Sequence, residues 1–328
     1  MKKIFLLLVF IILPFKVSAI SARSYVLMEE DTKRVLASKN MNEKMLIAST
    51  TKIMTAIIAL ESNKINNYVI VNDNVLKAYG SCIYISVGEK ILLKDLIYGL
   101  LLRSGNDAAI AIADYLGGYE NFVNKMNKKA KEIGMKNTIF NNPSGLDEET
   151  KNYSTSYDMA LLMRYANSIS LFKKISSTKK YKLKTNKNTY IWKNKNKLLF
   201  SYKYTTGGKT GYTDKAKRTL VTSASKNNLN LIVVTLNAPD DFKDHMNLYE
   251  YGFNNYTMKK VFDKKLFNLK KSYVLDDYYY PLTKNENELI SFDYEIKNKD
   301  TFKKNEFKGN VLVKFNGKII HKEKIYAK

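Results

Sequence analysis

With a single cysteine, Cys82, the 328-residue chain cannot close an intramolecular disulfide, so its folded state rests on its core alone. That thiol reads as a small packing residue. Histidine is nearly as scarce. His245 and His321 stand far apart with no cysteine cluster near either, so no metal site is credible and no cofactor is expected. The only long apolar run is Ile4 to Pro14, and about 12 residues fall short of the roughly 20 a spanning helix needs. Met1-Lys2-Lys3 before it and Val17-Ser18-Ala19 after it fit a signal peptide over residues 1–19, with a mature chain starting near Ile20 or Ala22. The expected location is extracytoplasmic, in the cell wall or on the outer face of the membrane. Acidic residues are also in short supply, 31 against 55 Lys+Arg for a net charge of +24. Such a field attracts polyanions. No RNP-like, zinc-finger or homeodomain pattern is present, so nucleic acid is not the expected partner. Anionic wall polymers or a membrane surface remain, against the equally weighted alternative of a merely solvated basic surface.

What is present is enough apolar residue, 45%, for one large core and a smaller one. "RSYVLMEE" and "KRVLASKN" read as a hairpin around Asp31-Thr32. Helical stripes run over Ser49–Glu61, Leu92–Leu102, Asn106–Leu116 and Tyr119–Ile133, the last closed by Gly134. "NNPSGLDEETKNYS" is a loop, and Thr155 with Asp158 starts the next helix as a capping box. "LVTSAS" and "LNLIVVTLN" are sheet strands. The tail holds short strands and the Asn316-Gly317 signal of a type I′ hairpin. Helices and strands mix without regular alternation, which predicts an α+β fold: an antiparallel sheet with helices packed on it, followed by a small all-β domain. The expected division is a catalytic domain over residues 22–255 and a β-rich domain over 256–328. No repeats are present.

"LIASTTKIMTA" places Ser49 and Lys52 three apart at the head of a helical run, so hydroxyl and amine share a face. A serine becomes a nucleophile when a base takes its proton, and a lysine can be that base when burial or positive neighbours lower its pKa. The helix N-terminus also aims backbone N–H groups at an oxyanion formed there. Alone, Ser-x-x-Lys is more often a capping serine and a solvated lysine. Two further elements shift that balance. "LLRSGNDAA" offers Ser104 and Asn106 on a tight turn between helices. "GGKTGYT" offers Lys209, Thr210, Gly211, Tyr212 and Thr213 on an extended edge able to pair with a peptide. Ser-x-x-Lys, Ser-x-Asn and Lys-Thr-Gly in this order are the signature of β-lactamases and penicillin-binding proteins.

From those motifs, and from "SYVLMEEDTKRVLASKN", "GEKILLKDLIYGLLLRSGNDAA", "NPSGLD" and "GGKTGYTDKAKRTLVTSAS", the chain closely resembles the low-molecular-mass penicillin-binding proteins, the serine D-alanyl-D-alanine carboxypeptidases. The likeness runs from about Arg23 to Phe253 and is weak in the tail. The resemblance implies a β-lactamase/transpeptidase-like fold, stem peptides of peptidoglycan ending in D-Ala-D-Ala as substrate, and β-lactams as covalent inhibitors. It implies that Ser49 forms the acyl-enzyme with Lys52 as base, that Ser104 and Lys209 relay the proton to the leaving amine, and that Asn106 holds the substrate amide. The oxyanion would lie on the backbone N–H groups of Ser49 and Tyr212, and Thr210 and Thr213 would grip the carboxylate beside Lys209 and Gly211.

The sequence departs from the family in two respects: "IIHKEKIYAK" alternates like a strand and offers no convincing amphipathic anchor, and the expected carboxylate-binding residue is missing. Members commonly carry an arginine for the substrate carboxylate beyond the strand that follows Lys-Thr-Gly. Here that region reads "NAPDDFKDHMNLYEYGF". Lys243 or His245 could substitute, although such residues in a loop are more often solvated than ligands. The rival readings are a D,D-endopeptidase or transpeptidase, a β-lactamase and a catalytically silent peptidoglycan-binding protein. Glu148 and Asn152 have a spacing like that of the deacylating residues of class A β-lactamases, read here as coincidence. The intact set of Ser49, Lys52, Ser104 and Lys209 argues against the silent protein.

Overall fold

A computed structural model describes residues 19–299 and 301–328. The expected signal peptide lies almost entirely outside the described residues.

The main sheet has five antiparallel strands: β1 (Ser24–Glu29), β2 (Val35–Lys39), β3 (Thr205–Thr213), β4 (Lys217–Lys226) and β5 (Leu229–Leu236), in the order β2-β1-β5-β4-β3. Side chains alternate across a strand, so each strand serves two cores. Val26, Met28, Ile232 and Val234 face a large cluster. Leu27, Leu231 and Val233 face a second one with Leu248 and Tyr249. The large cluster is roofed by α1 (Lys52–Leu60), α2 (Leu93–Tyr98), α3 (Asn106–Tyr115), α4 (Tyr119–Ile133), α5 (Ser156–Ser168) and α6 (Ser170–Ser177). The opposite face is covered by α7 (Asp241–Asn255). Helices therefore cover both sides of the sheet.

Local signals explain most boundaries. Gly134 ends α4 in the left-handed conformation at φ +89°. The Thr155 side chain accepts from the Asp158 N–H at 3.0 Å and starts α5. Asn316 (φ +46°) and Gly317 (φ +73°) both have positive φ between the strands Phe307–Phe315 and Lys318–Ala327, as a type I′ turn requires.

Two elements differ from expectation. The segment holding Lys243 and His245 is helix α7 rather than a loop, and the hairpin of Lys180–Lys184 with Thr189–Lys193 has no counterpart in the sequence reading. Cys82 is half-buried rather than a core residue.

Beyond α7 the chain is β-rich, with a small core of Phe262, Val274, Val311, Val313 and Ile325. Arg34, just before β2, ties this region to the main sheet. Its guanidinium donates to the Pro281 carbonyl and to Glu286, and it lies 4.4 Å from the centre of the Phe315 ring and 5.1 Å from that of Tyr280.

Candidate active site

The chain enters α1 through a tight helical turn, Ala48–Thr51, so Ser49 projects one turn ahead of the helix proper. Ala48 holds φ at +46°, a conformation that alanine adopts only when its surroundings enforce it. Those surroundings are the loop 142–147. The Asn142 carboxamide accepts from the Gly145 N–H at 2.6 Å, Asn152 donates to the Asn142 carbonyl at 2.9 Å, and Thr55 donates to the Pro143 carbonyl at 2.6 Å. The loop is thus bound to α1, and its Ser144 carbonyl faces the site.

Lys52 is completely buried. Its Nζ is 3.1 Å from Ser49 Oγ, 2.6 Å from Asn106 Oδ1 and 2.5 Å from the Ser144 carbonyl. Burial, followed by the positive charge of Lys195, pulls its pKa down to about 7, partly opposed by Asp107. A neutral Nζ keeps a lone pair able to accept a proton. Opposite it, Lys209 Nζ donates to Ser104 Oγ at 3.1 Å and to the Thr210 carbonyl at 2.5 Å. Lys209 is also buried, and burial together with the charges of Lys52 and Lys195 holds its pKa well below the ordinary lysine value.

Ser104 is aimed by an unusual turn. After α2 the helix widens into a π-type turn over Gly99–Arg103, and Ser104 follows in the left-handed conformation at φ +66°. Asn106 then opens α3. Its Oδ1 receives Lys52, and its Nδ2 donates to the Tyr79 carbonyl at 2.6 Å. The buried Asp107 gathers the N–H groups of Ile83, Tyr84 and Ile85, fixing the segment that carries Ser81 beside the site.

Strand β3 closes the centre as the sheet's outer strand; among the described residues it pairs only with β4, which leaves its other edge without a strand partner along the site. A Cβ on Gly211 would come within 3.1 Å of the Ser49 and Thr50 nitrogens, so glycine lets the strand pass close to the nucleophile turn. A cavity of about 310 Å³ lies here, lined by Ser49, Ser104, Thr210, Gly211 and Tyr212 together with Lys195 and Arg218.

The structure therefore gathers Ser49, Lys52, Ser104, Asn106, Lys209, Thr210, Gly211 and the Tyr212 backbone. Thr213 stands apart, because its hydroxyl donates to Asp147 Oδ2 at 2.6 Å and accepts from the Ala216 N–H at 3.0 Å. The Tyr212 phenol likewise turns out to Asp214. His245 is no carboxylate ligand. It is fully buried behind the sheet between the Thr222 and Thr235 hydroxyls, with a pKa pushed down to about 3 by burial. Lys243 is exposed on α7 and does not line the cavity. Arg218, Lys195 and Lys197, which sequence reasoning passed over, are the cationic residues that line the cavity, with Asp241 beside them. Arg218 follows Lys-Thr-Gly across the β3–β4 turn, opposite Tyr212 in register, and pairs with Asp241 at 2.8 Å. Lys195 donates to Ser81 Oγ at 3.0 Å. Glu148 is exposed, while Asn152 is buried on Asn142 and Thr51, so the two do not face the centre as a pair.

An antiparallel sheet between helical layers, with a serine and a buried lysine at its edge, is the arrangement of the serine hydrolases that pass through an acyl-enzyme. Comparison with known proteins narrows the class. Residues 14–240 match the family described as D-alanyl-D-alanine carboxypeptidase, and the chain belongs to that family. DacF of Bacillus subtilis, named a D-alanyl-D-alanine carboxypeptidase, is 34% identical over 94% of this chain and 85% of its own length. DacB2 of Mycobacterium tuberculosis, of the same name, is 30% identical over 71% of this chain and 82% of its own. Among solved structures, penicillin-binding protein 5 of Haemophilus influenzae superposes with a TM-score of 0.80 at 27% identity, over 94% of this chain and 97% of that one.

Proposed function

We propose that this protein is a serine D-Ala-D-Ala carboxypeptidase that removes the terminal D-Ala of peptidoglycan stem peptides and is acylated by β-lactams on Ser49. The observation that carries the reading is the position of Lys52 Nζ, buried and 3.1 Å from Ser49 Oγ, with the Lys209–Ser104 pair facing it.

Neutral Lys52 takes the Ser49 proton as Oγ attacks the penultimate carbonyl. The oxyanion forms against the N–H groups of Ser49 and Tyr212. Collapse breaks the C–N bond, and Ser104, bridged to Lys209, passes a proton to the departing amine. Water then attacks the ester and regenerates Ser49. Thr210, Gly211 and the open edge of β3 hold the peptide extended, and Asn106 takes its amide. The free carboxylate of the leaving residue finds Arg218 and Lys195 in the cavity wall, which favours an exopeptidase over the endopeptidase reading.

The same reading takes residues 22–255 as catalytic and 256–328 as a β-rich appendage, consistent with their separate cores. It takes residues 1–19 as an export signal, and the +24 charge as suited to anionic wall polymers or the membrane surface. The test is intact-mass spectrometry after brief exposure to penicillin, run beside D-Ala release from a D-Ala-D-Ala peptide. A lasting adduct on Ser49 together with release is the expected result. Rapid penicillin turnover without an adduct would reinstate the β-lactamase.

A further inference from the structure

No acidic residue stands between Asp158 and Asp214, and the lysines of that stretch gather on one element, the hairpin of Lys180–Lys184 with Thr189–Lys193. The inward face of the hairpin is firmly held. Leu183 and Trp192 are buried, the Tyr181 ring stacks on Tyr98 at 3.6 Å, and the Tyr181 and Tyr190 hydroxyls donate to Asp95 at 2.6 Å and to Glu89 at 2.9 Å. Because side chains alternate along a strand, the other face presents Lys180, Lys182 and Lys184 from one strand and Ile191 and Lys193 from its partner, all exposed. Lys180 stands directly opposite Lys193 in register, a like-charge pair that weakens the ladder unless an anion lies across it. Among the described residues, Lys173 alone of residues 159–213 pairs with a carboxylate, Glu30 at 3.9 Å. Past Lys193 the charge continues into the cleft, since Lys195 and Lys197 line the cavity beside Ser49.

Sharpening the reading of the net charge, we propose that the outward face of this hairpin is a docking surface for an extended wall polymer that carries a phosphodiester at each repeat. Successive lysines on one face of a strand are about 6.6 Å apart, twice the rise per residue, so they meet charges strung along a chain rather than one compact anion. Their ammonium groups act on phosphate as point charges, and binding is driven by release of the polymer's counterions. The face offers little to a lipid bilayer. Its exposed apolar residues are Ile191 and the neighbouring Phe200, and Phe200 lies under Lys193 and Lys179, 5.1 and 5.7 Å from its ring centre. The tip, residues 185–188, is polar, so the hairpin lacks the apolar face that an interfacial element buries among acyl chains. A polymer docked here would hold Ser49 at the wall while the cleft takes and releases successive peptides.

The probe is a fluorescent, lipid-free poly(glycerol phosphate) chain titrated with the protein at several salt concentrations. Wild type is expected to bind with a Kd that rises with salt at a log–log slope of about 3, as neutralising about four phosphates of a flexible chain requires. The triple variant Lys180→Gln, Lys182→Gln, Lys184→Gln should bind at least about tenfold more weakly, with the slope reduced to about 1. A control that loses the same charge, Lys44→Gln, Lys131→Gln, Lys136→Gln, removes exposed lysines of other elements and should stay within about twofold of wild type. Melting temperatures report that both variants fold, and binding is read without turnover, so the result stands apart from the carboxypeptidase reading. Equal weakening in the two triple variants would assign the attraction to net charge alone and overturn the proposal. So would a wild type that binds phosphatidylglycerol vesicles but not the polymer, or one that binds neither.

Discussion

Gly145 faces the carbonyl of Ala48 so closely that a Cβ on Gly145 would come within 1.9 Å of that oxygen, far short of van der Waals contact, and Gly145 itself sits at φ +86°. The backbone just ahead of the nucleophile therefore depends on a missing side chain one loop away. Gly145→Ala should displace the Ala48 carbonyl, slow penicillin acylation at least about tenfold and lower the melting temperature by several degrees. Stopped-flow labelling and a thermal melt check both, and a variant matching wild type in each would refute the coupling.

Lys52 acts as a base only when unprotonated. With its pKa near 7, acylation by penicillin should rise about tenfold per pH unit below neutrality and level off above it. The charge of Lys195 disfavours the ammonium form of Lys52, so removing that charge raises the Lys52 pKa. Lys195→Met should shift the acid limb of the rate profile toward higher pH, whereas a purely structural role would lower the rate without moving the limb.

Ser49→Ala should abolish adduct formation and D-Ala release while leaving the melting temperature within about 2 °C of wild type, since Ser49 is only half-buried and packs into no core. Labelling that survived in this variant would place the nucleophile elsewhere.

Arg34 bonds Glu286 and lies over three aromatic rings, so Arg34→Ala should loosen the β-rich region without touching turnover. Limited proteolysis between residues 255 and 265 would report it. Burial alone would raise the Glu286 pKa, but Arg34 and the Thr283 N–H outweigh burial and hold it low. A depressed carboxylate stabilises the fold above its unfolded pKa, and this contribution is lost as pH falls through the folded value. The wild-type clamp should therefore weaken on acidification, and the alanine variant, which keeps only the Thr283 bond to Glu286, should show less of that dependence.

Arg218→Ala should raise KM for peptides with a free C-terminal carboxylate and leave amidated peptides unchanged. His245→Gln, buried behind the sheet, should affect stability alone. Steady-state kinetics on the two peptide forms separates the cases.

Local chemistry made much of this molecule readable. Thr155 with Asp158, Gly134 and Asn316-Gly317 encode their own turns, and the apolar stripes of α1, α3 and α4 encode helices. Helix α7 was obscured because its inward face includes Asp241, Asp244 and His245, polar residues buried by partners far away in sequence. Asp244, for example, is satisfied by Ser21 and Ala22. Ser49, Lys52, Ser104 and Lys209 were legible as side chains at fixed spacings. The Ser144 carbonyl that receives Lys52 carries no side-chain signature, and Arg218 and Lys195 reach the cavity only through the pairing of β3 with β4 and the path of the loop at 194–197.

The π-type turn at Gly99–Arg103 makes the position of Ser104 a matter of residue count. Such a turn holds one residue more than an α-helix needs over the same length, and each residue of an α-helix turns the chain by about 100°. Deleting one residue from Leu100–Leu102 would let the helix run regular and swing Ser104 away from Lys209 by roughly that angle, although every catalytic side chain would still be present. In this stretch, insertions and deletions act on the chemistry as strongly as replacement of the serine itself.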